Sequence, residues 1–279
     1  MVLGPDESTA TVSSGTAEIP KLGFGTARIT GDDCKRAVKT ALESGYRHVD
    51  TAQLYDNEAA VGAAIAESPV DRDDIFVVTK VHPNNAASAA VHETTRASLD
   101  RLGLNAVDLL LLHAPSDEAP LSATLGAMNE LQDEGVVDHI GVSNFSVGQL
   151  ESAREHSETP IVTNQVKYHP YHHQDELLEY CVDHDICLTA YSPLAEGAVP
   201  GDDRLAAVGE PYGKSATQVA LRWLVQQPTV AAIPKSASRK HIAANAAIFD
   251  FELSDDDMET VTDVGDGVWT QLAAVLGLR

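Results

Sequence analysis

The chain has 279 residues, with 42 acidic side chains against 19 lysines and arginines and a formal net charge of -23. This excess of acid argues against nucleic-acid binding, which needs basic residues facing phosphates. The N-terminal stretch has neither a basic region nor an apolar segment, and no run of about 18 apolar residues occurs. A cytoplasmic protein without a membrane partner is therefore predicted.

Acid-rich, lysine-poor surfaces suit concentrated salt, because a Debye length of about 3 Å at 1 M screens the self-repulsion of the chain. We therefore predict a halophilic source, with an ordinary acidic cytoplasmic protein as the alternative. The cysteines Cys34, Cys181 and Cys187 include no CxxC pair. This predicts small buried thiols and neither disulfides nor a zinc site.

In chain order, two short β-prone runs around Ser14 come first and predict a hairpin. Eight short apolar runs follow and predict strands: "KLGFGT", "YRHVD", "IFVVTK", "VDLLLLH", "HIGVSN", "IVTNQV", "ICLTAYS" and "VAAIPKS". Amphipathic segments between them predict helices, most clearly at residues 33–43, 86–102, 121–134, 174–184 and 215–227. Residues after Asp250 are predicted to form an acidic helix and a tail.

Alternating strands and helices, with strands that are apolar throughout, favour a parallel sheet covered by helices. Eight such units in this length, with no low-complexity linker, favour an α/β fold of the (β/α)₈ TIM-barrel type over an open sheet. The prediction is one domain over residues 1–279, with the N-terminal hairpin closing the bottom of the barrel.

Polar residues end most of these strands, and in a barrel such residues converge on the active site. They are Thr26, Asp50, Lys80, His113, Asn144, Gln165, Tyr191 and Lys235. A metal centre is the weaker interpretation, because no strand ends in a His-x-His pair. His169, His172 and His173 follow the sixth strand and are predicted to be solvated loop residues.

Acid–base chemistry is the stronger interpretation. Tyr55 follows the second strand, and a neighbouring Lys80 ammonium would lower the pKa of its phenol from the ordinary value of about 10. Asp50 would keep Lys80 charged by pairing with it. His113 would donate to the substrate oxygen or orient it.

Several stretches together closely resemble the aldo-keto reductases, including the diketogluconate reductase and aldehyde reductase-like members from prokaryotes. They run in order from about Lys21 to Ser254: "GYRHVDTAQLYDNEAAVGAAI", "IFVVTK", "DLLLLHAP", "HIGVSNF", "NQVKYHPY", "LTAYSPL" and "IPKSASRKHIAANAAIFDFELS". The resemblance implies a monomeric barrel enzyme that reduces a small carbonyl substrate with NADP(H), with NAD(H) use possible. It makes Tyr55 the general acid, tuned by Asp50 and Lys80, with His113 positioning the carbonyl.

The resemblance also implies a cofactor site. Its expected residues are Gly25, Thr26, Asp50, Ser143, Asn144, Gln165, Tyr191, Ser192, Leu194, Lys235, Ser236, His241 and Asn245. The substrate would contact Tyr55 and His113, and also Ala27, His82 and Ala114.

The chain departs from the family pattern in two places. Ala27 and Ala114 stand where many members have Trp, and His82 where an aromatic residue is frequent, so flat aromatic aldehydes should bind weakly. His241 stands where Arg is usual, which weakens the expected preference for NADPH. The alternative function is a nucleotide-sensing subunit of the same fold with little turnover.

Overall fold

The computed structural model describes residues 10–276, and side chains are described as far as residue 265. Strands β1 (Thr11–Ser14) and β2 (Ala17–Pro20) form the predicted antiparallel hairpin. The Ser14 hydroxyl donates to the carbonyl oxygen of Val162, 2.7 Å away, near the start of a barrel strand. Because Val12 and Ile19 pack with side chains inside the barrel, the hairpin closes its bottom as predicted.

Eight further strands form one curled sheet in which each strand runs parallel to its neighbours in chain order. They are β3 (Phe24–Gly25), β4 (His48–Asp50), β5 (Phe76–Val81), β6 (Val107–Leu112), β7 (Val137–Ser143), β8 (Ile161–Lys167), β9 (Cys187–Tyr191) and β10 (Val230–Ala232). The Gly23 amide donates to the Ala232 carbonyl at 2.9 Å, and Leu22 bridges to the same residue. The first and last strands are thereby joined, which is consistent with the predicted (β/α)₈ barrel.

Helices alternate with these strands. They are α1 (Gly31–Glu43), α2 (Glu58–Ala66), α3 (Ser88–Leu102), α4 (Leu121–Asp133), α5 (Val147–His156), α6 (Asp175–Asp183), α7 (Asp203–Gly209), α8 (Ala216–Gln226), α9 (Arg239–Ala246) and α10 (Asp255–Leu276). The five helices predicted with bounds agree with α1, α3, α4, α6 and α8 to within two residues at each end. The acidic helix is α10, and the last residues of the predicted tail lie outside the described residues.

The core has two layers, and β6 shows why its sequence is a run of leucines. Leu109 and Leu111 point into the barrel, where they pack with the hairpin. Leu110 and Leu112 point outward and pack under the helices. Since successive strand residues face opposite sides, a strand covered on both sides is apolar at every position.

The first and last predicted strands are much shorter than their apolar runs. The first is reduced to Phe24–Gly25, and the last ends at Ala232, because Pro234 has no backbone N–H to continue the ladder. The three cysteines are free and buried, as predicted. Within the described residues, no helix combines the length and apolar character needed to cross a bilayer.

Candidate active site

A cavity of about 1300 Å³ opens at the carboxyl ends of the barrel strands. Most of the residues predicted for catalysis and cofactor binding line it: Gly25, Asp50, Tyr55, His113, Ser143, Asn144, Gln165, Tyr191, Ser192, Leu194, Lys235, Ser236, His241 and Asn245. Of the predicted substrate residues, Ala27 lines it together with Tyr55 and His113. The structure therefore brings six of the eight predicted strand-end residues to one mouth, all except Thr26 and Lys80.

A buried ion pair lies beneath the cavity floor. The Lys80 ammonium donates to Asp50 Oδ1 at 2.6 Å and to the Thr51 carbonyl oxygen at 2.9 Å. The side chains of Lys80 and Asp50 are 0% and 1% exposed. Strand register explains the meeting, because β4 lies beside β5 and both side chains point inward near the same end of the sheet.

Tyr55 ends a short 3₁₀ turn, Gln53–Tyr55, that follows β4. The next residue, Asp56, has a positive φ of 51°, and the buried Asn57 fixes the loop by donating to the Thr26 and Ile29 carbonyls at 2.9 and 2.8 Å. This places the Tyr55 hydroxyl 3.5 Å from the Lys80 ammonium. The phenol therefore faces both the cavity and a buried cation.

The prediction that the pKa of Tyr55 is lowered below its ordinary value is wrong. Burial disfavours the phenolate and raises the pKa of Tyr55, and although the Lys80 charge lowers it, burial prevails. For Lys80 the balance is the reverse: burial lowers its pKa, but Asp50 and Tyr55 outweigh burial and the pKa is raised. Lys80 is therefore held charged by Asp50, as predicted, and Tyr55 is held protonated.

His113 lies directly after β6 with its ring 5.6 Å from that of Tyr55, edge to face. Burial, followed by the charge of Lys80, lowers the pKa of His113 to about 4. Its Nδ1 is buried and has no hydrogen-bond partner among the described residues. The ring is thus neutral at pH 7 and presents one N–H and one acceptor nitrogen.

Amides and hydroxyls on β7, β8 and β9 form a connected wall beside this centre. Gln165 donates to Asp50 Oδ2 at 2.8 Å, and the Ser143 hydroxyl donates to the Gln165 carbonyl at 2.8 Å. The Tyr191 hydroxyl donates to Asn144 Oδ1 at 2.9 Å, and the Asn144 amide donates to the His113 carbonyl at 3.0 Å. Because the Asn144 amide also donates to the Ser143 hydroxyl at 3.0 Å, the wall links the ion pair to the ring of Tyr191.

The far end of the cavity lies at the end of β10 and the start of α9. Lys235, Ser236, Lys240 and His241 line it with Asn245, and their side chains offer ammonium, hydroxyl, imidazole and amide groups. This group of side chains suits an anion such as a phosphate.

Three predicted contact residues do not line the cavity. Thr26 is buried, with its hydroxyl donating to the Asp50 carbonyl oxygen at 2.9 Å. His82 accepts the Asn84 backbone N–H at Nδ1, 3.1 Å away, which holds its ring in the loop after β5. Ala114 is partly buried beyond His113. The structure thus gives no direct cavity contact for these positions.

The prediction of solvated loop histidines is wrong for His169, which is 5% exposed. It pairs with His172 across a tight turn, and its Nδ1 accepts the Tyr171 backbone N–H at 3.2 Å. Burial, then the nearby charges led by Lys167, lowers the pKa of His169 to about 4. Within the described residues, no group of three or more His, Cys, Asp or Glu side chains is arranged to hold a metal ion.

Sequence reasoning missed several lining residues. They include Arg28, Leu54, Lys167, Glu196, Ser215, Thr217, Gln218 and Ala244. Lys167 had a usable signal, since it directly follows the apolar run "IVTNQV" and alternation from Gln165 places it on the same face. Ser215 and Gln218 had none, because they belong to the first turn of a helix that looks ordinary in sequence.

Comparison with known proteins places this arrangement in context. Residues 21–266 match the sequence profile of the Aldo/keto reductase family. An aldo-keto reductase of Mycobacterium marinum is 40% identical over 250 residues, 89% of each chain. The glyoxal reductase of Bacillus subtilis is 39% identical over 245 residues, 88% of each chain. A crystal structure described as a candidate 2,5-diketo-D-gluconic acid reductase B superposes with a TM-score of 0.89 at 46% identity, covering 91% of this chain and 90% of that one.

Proposed function

Because this chain belongs to the aldo/keto reductase family, whose members are oxidoreductases that use nicotinamide cofactors, we propose that it reduces aldehyde or ketone carbonyls to alcohols with NADPH. NADH is a weaker second cofactor in this proposal. The substrates are small or sugar-like, in keeping with the glyoxal and diketogluconic acid named for two similar proteins.

The observation that carries the proposal is the Tyr55 hydroxyl at the cavity surface, 3.5 Å from a buried ammonium. A general acid must be protonated when the substrate binds and must become a better acid as it gives its proton away. Burial keeps the Tyr55 phenol protonated. When the proton moves to the carbonyl oxygen, the phenolate forms beside Lys80, whose charge stabilises it.

Asp50 acts through Lys80. Burial lowers the pKa of the Lys80 ammonium, which disfavours its charged form. The Asp50 carboxylate at 2.6 Å opposes this effect and favours the charged form. Asp50 is therefore a positioning and charge-holding residue, and Tyr55 is the group that touches the substrate.

His113 works as a neutral hydrogen-bond donor. A pKa of about 4 leaves its ring uncharged at pH 7, so it cannot compete with Tyr55 as the acid. Its ring packs edge to face against the Tyr55 ring, and both side chains line the same cavity. A carbonyl oxygen there accepts from both.

The residues present fit a nicotinamide dinucleotide. The cavity of about 1300 Å³ exceeds the roughly 300–1000 Å³ of an ordinary small-ligand pocket, which leaves room for a dinucleotide and a small substrate together. Ser143, Asn144 and Gln165 offer donors and acceptors to a carboxamide, and the Tyr191 ring offers a stacking face. The reduced nicotinamide, when bound, supplies the hydride.

The rest of the cofactor extends along the cavity towards β10. Ser192 and Leu194 would line the path of the pyrophosphate. Gly25 and Ile233 also line the cavity, and a Cβ at Gly25 would meet the Ile233 carbonyl oxygen at 2.8 Å. Lys235 and Ser236 receive the 2′-phosphate, with Lys240 and His241 nearby, and Asn245 faces the adenine. This assignment is the basis for the preference for NADPH.

Among the residues that the structure describes, no tryptophan or phenylalanine lines the cavity. Ala27 and Leu54 line it, and the rings of Tyr55 and His113 form its floor. With few aromatic faces to stack against, hydrated aliphatic carbonyls are better substrates than flat aromatic ones. The nucleotide-sensing alternative is not favoured, because the site keeps an acid, a charged lysine and a neutral histidine in working positions.

Replacing Tyr55 by Phe tests the proposal, since it removes only the phenolic proton. We expect turnover of glyoxal with NADPH to fall by at least about 10²-fold, the lower end for general acid catalysis, while NADPH still binds. Turnover is followed by nicotinamide absorbance and binding by fluorescence titration. Tyr180→Phe on α6, outside the cavity, is the matched control and should retain activity. Wild-type turnover in Tyr55→Phe would show that another group donates the proton.

A further inference from the structure

The lysines of this chain fall into two groups. Five donate to a carboxylate or a backbone carbonyl: Lys21, Lys35, Lys39, Lys80 and Lys214. The other three, Lys167, Lys235 and Lys240, have no such partner among the described residues, and all three line the cavity. In a chain of net charge -23, the lysines that have neither a carboxylate nor a backbone carbonyl partner among the described residues are therefore concentrated at one site.

The acids of the cavity do not balance these charges. Asp50 is paired with Lys80, and Glu196 lies 3.9 Å from Arg28. The cavity is thus locally positive inside a strongly acidic molecule. A cleft lined by charges of one sign focuses the electric field and concentrates anions within it. Lys235 and Lys240 serve the cofactor phosphate in the proposed function, which leaves Lys167 unassigned.

Lys167 lies at a different place from the phosphate end. It ends β8 and is in register with Tyr191 of β9, next to the amide wall. It is partly buried, whereas Lys235 and Lys240 are exposed. A partly desolvated ammonium without a partner is costly, and an anion beside it would remove that cost.

A side pocket of about 290 Å³ adjoins the main cavity at Lys167. Asn144, Lys167 and Tyr191 line both spaces, and the side pocket adds the hydroxyl of Ser146 and the ring of His172. Asn144 also donates to the His113 carbonyl at 3.0 Å. Asn144 therefore connects the side pocket to His113, beside which the carbonyl reacts in the proposed function.

We infer that Lys167 determines specificity by binding the carboxylate of oxo acids in this side pocket, while their aldehyde or ketone reacts at Tyr55. The inference rests on the proposed reductase function and narrows its substrate class to carbonyl compounds that carry a carboxylate. Lys167 supplies the charge, and His172 and Ser146 supply further hydrogen-bonding groups.

The test compares each acid with its own uncharged ester. Wild type, Lys167→Gln and Lys39→Gln are assayed with NADPH and 4-oxobutanoate, 6-oxohexanoate and their methyl esters at low salt. Lys39→Gln removes the same charge from an exposed ion pair outside the cavity and controls for net charge. We expect wild type to favour at least one acid over its ester, and Lys167→Gln to lose about tenfold or more in kcat/KM for that acid while the ester is unchanged.

Three outcomes would overturn the inference. An acid-to-ester ratio that is the same in wild type and Lys167→Gln excludes Lys167 as the carboxylate partner. Inhibition of ester turnover by inorganic phosphate through Lys167, without any preference for the acids, shows that the side pocket holds free anions instead. If wild type binds NADPH but turns over neither acids nor esters nor glyoxal, the reductase proposal itself is wrong, and the inference falls with it.

Discussion

The Lys80 ammonium and the Asp50 carboxylate are buried together. Removing either one leaves the other as a buried charge without its partner. Breaking such a pair costs about 3–5 kcal/mol, a large part of the stability of an ordinary domain. A loss of activity in a Lys80 or Asp50 variant would therefore mix chemistry with unfolding. Tyr55 is partly exposed and separates the two effects better.

His241 is the residue on which the strength of cofactor selection depends. It is exposed at the phosphate end of the cavity, where a neutral imidazole offers a single donor. We predict that wild type favours NADPH modestly and that His241→Arg widens the preference over NADH by about tenfold to a hundredfold at low salt, the worth of one charge-assisted contact. The ratio of kcat/KM for the two cofactors measures this.

His156→Arg, on α5, adds the same charge outside the cavity and should leave that ratio unchanged. If wild type already rejects NADH and His241→Arg changes nothing, then His241 does not face the phosphate.

At this scale the sequence predicted positions better than environments. Strand-end residues such as Asp50 and His113 could be placed from alternation and chain order alone, because a parallel sheet brings such ends together. The pKa of Tyr55 could not, since it depends on how much protein surrounds the phenol. Whether Lys167 has an acidic partner depends on where every Asp and Glu of the chain lies in space. No local sequence pattern gives that information.

Between elements, α2 and α3 approach each other closely at Gly62. A Cβ at Gly62 would lie 1.9 Å from the Leu102 carbonyl oxygen, a backbone atom that cannot turn aside. We predict that Gly62→Ala destabilises the protein by about 1–3 kcal/mol through forced separation of the two helices, despite the better helix propensity of Ala. Denaturant unfolding measures the change.

Gly126 in α4 is the matched control, because a Cβ there would meet no atom within 4 Å. Gly126→Ala should be neutral or stabilising by up to about 1 kcal/mol. Equal effects from the two substitutions would show that α2 and α3 adjust freely.

The order of strands and helices was predictable because apolar runs alternate regularly with segments of amphipathic, helical periodicity. The helix α7 was not, since it is an insertion of seven residues between β9 and α8 and adds no strand to the count. The strand β3 was predicted, but its reduced length was not, because its flanking residues pair with β10 through isolated backbone contacts that depend on closure of the whole sheet.

Over the whole molecule, net charge and local charge act in opposite directions. The many acidic side chains repel one another, while the unpaired lysines that line the cavity attract anions. Added salt screens both effects. It should therefore stabilise the fold and weaken the binding of anionic ligands at once.

We predict that the thermal midpoint rises between 0.1 and 1 M KCl, as the Debye length falls from about 10 Å to about 3 Å and relieves the repulsion of a charge of -23. The rise should be steepest at the low end, because screening saturates, whereas a general salting-out of apolar surface would keep growing with concentration. Over the same range the KM for NADPH should increase, since contacts between the cavity lysines and the 2′-phosphate are screened. Calorimetry and initial rates on one protein preparation test both trends. A midpoint that does not move with KCl would contradict the prediction of a halophilic source. A rising midpoint with an unchanged KM would place the 2′-phosphate away from Lys235 and Lys240.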